Sequence, residues 1–117
     1  MVTKLDKTHK VTGQSGKEYS FDLYLFDDFD DLKGYFNGKG LYLFTKRENA
    51  THKRIYLGKT TDYSTRYNNH HKEQCIKSKG SNCIGLHRMN NASQETIDEA
   101  EKDILEGNTF PCNDQNN

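Results

Sequence analysis

Two tripeptides, Gly40-Leu41-Tyr42 and Tyr56-Leu57-Gly58, mirror each other inside apolar, aromatic stretches and constrain the fold more than any other part of the chain. Leucine and aromatic residues at this density favour the pleated surface of a sheet, and a glycine lets the backbone approach closely beside a phenol. Residues 40 to 45 read as a strand, with residues 54 to 57 as its antiparallel partner across a polar, exposed and basic loop from Lys46 to Lys53.

Other segments supply the rest of a sheet and its cover. Tyr19, Phe21, Leu23 and Leu25 alternate with other residues, the period of a strand with one buried face. With Lys10-Val11-Thr12 before a Gly-rich turn at residues 13 to 16, this predicts an N-terminal hairpin. Residues 27 to 38 mix acids, glycine and aromatics and read as a loop or short helical turn. Asp62 or Ser64 can cap a helix running to about Glu73, which would place Tyr63, Arg66, Tyr67 and His70 on one face. A short strand at residues 83 to 89 follows, and Asn91 or Ser93 opens a second helix. There Ile97, Ala100, Ile104 and Leu105 form the apolar stripe and Glu101 falls among them. Gly107 stops that helix, and Phe110-Pro111-Cys112-Asn113 predicts a turn folding back against the sheet.

At 117 residues the chain has room for one core and no separate recognition module. No run approaches the roughly 18 apolar residues of a membrane span, and no signal pattern opens the chain, so a cytoplasmic protein without membrane contact is expected. Cys75, Cys83 and Cys112 are odd in number with no paired spacing, which predicts reduced thiols. Neither C-x-x-C nor a properly spaced His pair supports a zinc site. Net charge is zero, yet from Lys39 to Arg88 there are eleven Lys and Arg against three acids. That segregation fits one surface facing a polyanion, with Asp27, Asp28, Asp30 and Asp31 elsewhere.

The spacing of these residues resembles that of the GIY-YIG nuclease domain. Arg66 lies eight residues beyond Gly58 and His70 four further on, while Glu101, Ile104-Leu105, Pro111 and Asn113 match the family's helix-and-turn signature. Leu41 and Leu57 replace the usual β-branched residues, and the interval between the tripeptides is somewhat long. The resemblance covers Gly40 to Asn113 and implies a small α/β domain, its short, mainly antiparallel central sheet flanked by helices. Residues 1–38 would form a hairpin extension packed on a core at residues 39–113, with residues 114–117 a frayed tail.

The resemblance also implies a divalent-metal-dependent endonuclease acting on nucleic acid, DNA before RNA. Glu101 would hold one Mg²⁺ or Mn²⁺ and Arg66 would neutralise charge on phosphate. Tyr42 or Tyr56 would orient or deprotonate the attacking water, the sequence not choosing between them and Tyr42 being favoured with Tyr56 as its hydrogen-bonding partner, and His70 would relay a proton or hold a phosphate oxygen. Gly58, Lys59, His71, Lys72 and Asn113 fall on the substrate side. Sequence specificity would need a partner protein or a homo-oligomer. A binding module of the same fold with little activity, and a protein-interaction domain using the acidic N-terminal half, are the other readings.

Overall fold

Alternation at residues 18–26 does form a strand, β2 (Glu18–Phe26), but it buries side chains on both faces. Tyr19 and Phe21 face one core, whereas Tyr24 and Phe26 face another. The reason lies in the sheet to which the strand belongs. The computed structural model describes residues 1–115. It pairs β2 antiparallel with β1 (Val2–Thr12) on one side and with β5 (Cys83–Arg88) on the other. β3 (Gly40–Glu48) and β4 (Thr51–Thr60) complete five antiparallel strands in the order β1-β2-β5-β3-β4. The N-terminal hairpin is therefore two strands of one continuous sheet, where the sequence suggested an appendage.

β3 and β4 pair with Tyr42 opposite Gly58, so the mirrored tripeptides lie side by side. The expected loop from Lys46 to Lys53 contracts to Asn49 and Ala50, both at positive φ, 50° and 67°. Two successive positive φ values match the twist of a tight hairpin, normally signalled by Asn-Gly rather than Asn-Ala.

Helices cover both faces. On one side α1 (Tyr63–Arg66), α2 (Glu73–Ser78) and a 3₁₀ turn (Phe29–Leu32) pack on Tyr42, Phe44 and Tyr56. Phe29 stacks on Phe44 with ring centroids 5.4 Å apart. On the other side α3 (Gln94–Gly107), capped by the Ser93 hydroxyl, lays Ile97, Ala100 and Ile104 against Leu41, Leu43 and Leu57. No helix among the described residues is long and apolar enough to cross a membrane.

Past α3 the chain returns to the outer edge of β4. The Cys112 amide donates to the Ile55 carbonyl, and the Asn113 side chain pairs with both the amide and the carbonyl of Leu57, each bond 2.9 Å. Gln115 donates to the carbonyls of Leu105 and Asn108, and Asp114 accepts from Lys72. Residues 114 and 115 are thus tied down, contrary to the expected frayed tail; residues 116 and 117 lie outside the described residues.

The expectation of reduced thiols is also corrected. Cys75 of α2 and Cys112 of the C-terminal turn form a disulfide, leaving Cys83 buried and free. Thirty-seven positions separate the pair, a spacing that only the folded-back turn makes short. Such bonds persist in oxidising settings, which the cytoplasmic expectation did not anticipate.

One buried group stands out in the core beneath the sheet. The Tyr67 hydroxyl is the single fully buried side-chain polar atom without a hydrogen-bond partner among the described residues. An unpaired buried hydroxyl costs about 1–3 kcal/mol, whereas phenylalanine fills the same volume. Tyr67→Phe should therefore raise stability by about 1 kcal/mol in urea unfolding. A loss of stability would mean that the hydroxyl is satisfied in solution.

Candidate active site

The helix expected from Asp62 to Glu73 is two short helices. Asp62 caps α1 by accepting from the Ser64 amide, but the helix ends at Arg66 and Asn69 takes a left-handed φ of 53°. Asparagine tolerates that region better than most residues. The reversal places His70 in the connection rather than one turn along a helix from Arg66. The two still converge on the same tyrosine.

His70 is 4% exposed, and its Nε2 lies 2.7 Å from the Tyr42 hydroxyl. Its other nitrogen, Nδ1, accepts from the Lys72 amide at 3.0 Å. An imidazole nitrogen that accepts carries no proton, so the neutral ring bears its hydrogen on Nε2 and donates to Tyr42. Burial, reinforced by the charge of Arg66 and by His71, lowers the His70 pKa to about 3. The ring is thus a neutral donor over the ordinary pH range.

This depression has a sign for stability. An unfolded histidine titrates near 6.5, so below that pH the unfolded chain takes up a proton that folded His70 refuses until about pH 3. Stability should fall as pH drops from about 6.5 toward 3, and the slope of unfolding free energy against pH should be shallower in His70→Asn. An unchanged slope would show that His70 is accessible to protons in the fold.

Tyr42 is completely buried, and the Arg66 guanidinium lies 5.7 Å from the centre of its ring. Tyr56 packs beside both Tyr42 and His70, with centroids 6.0 Å and 5.3 Å away. Burial pushes both phenols upward, Tyr56 adding to the effect on Tyr42, while Arg66 opposes it at each. Gly58 completes the packing. A Cβ there would overlap the Tyr42 phenol, so glycine is required at the position facing that ring.

Across the β4 edge lies a second group. Lys59 donates to Asp98 at 2.8 Å and lies 3.6 Å from Glu101, both one turn apart on α3. Glu101 is largely buried, and burial raises its carboxyl pKa; Lys59 and, more weakly, Arg66 oppose that shift. The phenols, His70 and Arg66 therefore meet the carboxylate around the end of β4 that carries Tyr56 and Lys59.

The remaining predicted residues divide. His71 stacks on His70 at 5.0 Å and approaches Arg66 at 3.5 Å, at the mouth of the site. Lys72 spends its ammonium on Asp114 and its amide on His70. Asn113 pairs through its side-chain amide with both backbone groups of Leu57, a structural role at the edge of β4. Asp98 was missed from the sequence, although it lies three residues before Glu101 and on the same side of the helix.

No cluster of three or more His, Cys, Asp or Glu able to hold a metal occurs among the described residues. The donor set nevertheless fits a magnesium-like ion. Such an ion needs only one or two carboxylates, completing its shell with water and phosphate, and Glu101 presents an oxygen 3.6 Å from the Lys59 ammonium, whose shorter contact is with Asp98.

No family model matches the chain, and searches of curated proteins and of solved structures return no match.

Proposed function

We propose that the protein is a divalent-metal-dependent endonuclease of GIY-YIG type that hydrolyses nucleic-acid phosphodiesters, DNA before RNA. The observation that carries this reading is the convergence of Tyr42, Tyr56, Arg66, His70 and Glu101, drawn from two strands, two helical segments and a turn, around residues 56–59 of β4. Core packing alone does not call for a guanidinium and a largely buried carboxylate beside paired phenols.

In this mechanism Tyr42, which has no exposed surface, takes the proton of an attacking water by way of Tyr56, the phenol of the pair that reaches the surface. The N–H of His70 favours the phenolate, because a hydrogen bond to the charged form stabilises it, and Arg66 adds a positive charge on the ring's other side. Tyr56 orients the water, and Arg66 neutralises charge on the nonbridging oxygens as the phosphorus is attacked. Glu101 would hold Mg²⁺ or Mn²⁺, which when bound would supply a Lewis acid for the phosphate and its leaving oxygen. Lys59, released from Asp98, contacts phosphate on the same side.

One observation favours the alternative of a weakly active nucleic-acid-binding module: burial raises both phenols, and Lys59 already occupies the carboxylate pair. A cleavage screen over duplex, single-stranded and branched DNA and RNA separates the readings. Products are expected with Mg²⁺ or Mn²⁺ and are abolished by EDTA. Binding without cleavage on every substrate would leave the binding module.

A further inference from the structure

The basic stretch around the β3–β4 turn takes no part in the chemistry above. It lies about 17 Å along β3 from Tyr42, five residues at roughly 3.4 Å each. The structure gives it a setting that the sequence does not reveal.

The sheet curls until its two edge strands touch. Arg54 of β4 donates from Nε to His9 Nε2 and from Nη2 to the Lys10 carbonyl, both at 3.1 Å, so it straps β4 to β1. Its Nη1 reaches Asn108 just beyond the end of α3, and the rings of His9 and His52 lie 5.1 Å apart. Past this strap the strands outrun the helix that covers them. A cleft of about 370 Å³ is left, lined by Leu5, Lys7, His9, Leu23, Arg47 and His52 among others.

Hydrogen-bond capacity in the cleft is unspent. His9 accepts from Arg54 on Nε2, so the neutral ring carries its N–H on Nδ1, for which the described residues supply no partner. His52 meets Thr45 through Nδ1, leaving Nε2 likewise open. Neither Lys7 nor Arg47 forms an ion pair among the described residues, and Asp6 is the single carboxylate in the lining. Asn82 pins the Arg47 backbone from both its amide and its carbonyl, so the free guanidinium stands on a fixed strand. Burial chiefly, and a neighbouring arginine at each, lower both imidazoles, His9 to about 4, so both rings are neutral donors or acceptors near pH 7.

We propose that this cleft is a phosphate-binding site, in which Arg47, Lys7, His9 and His52 hold one phosphate group of a nucleic-acid strand. A guanidinium and imidazole N–H groups converging on a concave surface suit a phosphate's several acceptor oxygens. The site is separate from the Tyr42–His70 pair, and only the source of the phosphate rests on the proposed function.

The test is an NMR titration of the intact protein with inorganic phosphate, a nucleoside monophosphate, and a short oligonucleotide in single-stranded and duplex form. Wild type, Arg47→Glu, Lys7→Glu and Lys102→Glu are compared. Shifts at the His9 and His52 rings are expected, with oligonucleotide affinity about tenfold weaker and less salt-dependent in the two cleft charge reversals and little changed in Lys102→Glu, a charge reversal at an exposed position of α3 outside both sites. Ring shifts with phosphate or monophosphate but not with oligonucleotide would assign the site to a free phosphate and overturn the nucleic-acid source. Ring shifts in a protein that cleaves nothing would uphold the cleft and remove the nuclease. Unperturbed rings with every probe, or equal affinity in both cleft charge reversals, would overturn the site.

Discussion

Glu101→Ala and Arg66→Ala are each expected to lower single-turnover cleavage on the order of 10²–10³-fold, with folding intact. Arg66 forms no ion pair among the described residues and is half-buried; its side chain stands over Tyr42 and meets His71 only at 3.5 Å. Removing it therefore withdraws charge from the site and little from the core. Glu101 lies 3.6 Å from Lys59, but the stronger contact of that lysine is with Asp98, which survives the substitution. Glu101→Ala should also erase the difference between Mg²⁺ and EDTA in any residual reaction, whereas Arg66→Ala should keep it. Wild-type rates in both variants, with unfolding midpoints unchanged, would remove the proposed chemistry.

Loss of the Cys75–Cys112 bond should be the largest single change in stability. Cross-linking two positions 37 apart restricts the unfolded chain by about 3–4 kcal/mol in the loop-entropy estimate. The effect is also local, because α2 is only six residues long and lacks a side-chain cap at its start. Cys75→Ser/Cys112→Ser, or wild type in reductant, should lose that amount in urea unfolding. Thiol titration of the unfolded oxidised protein should find only Cys83. Identical urea midpoints with and without reductant would show that the bond contributes nothing.

The legible parts of the sequence were those where one local cause decides. The aromatic runs around Gly40 and Gly58 gave β3 and β4 in the expected antiparallel pairing, and Ser93 with Ile97, Ala100 and Ile104 gave α3. β1 was visible only at its end. Most of its residues are exposed, so its eleven-residue length rests on pairing with β2 rather than on its own pattern. The four-residue interval between Arg66 and His70 imitated a helix, but Asn69 at positive φ reaches a similar convergence by a turn. Both the Cys75–Cys112 bond and the contact between His9 and Arg54 depend on distant segments meeting, which no local pattern encodes. Of the candidate site, the identities of the clustered residues were legible. The tautomer of His70 and the part played by Asp98 were not, since each depends on a partner brought in by the fold.

The amide of Asn113 takes up the two backbone groups of Leu57 that a neighbouring strand would otherwise use, and the Cys112 amide takes up the Ile55 carbonyl. A bare outer strand is a template on which a second molecule can lay its own, and growth from such edges leads to aggregates. Two residues of the C-terminal turn thus act as a stopper: they end the sheet at β4 in the same gesture that holds Tyr56 and Gly58 on either side of Leu57.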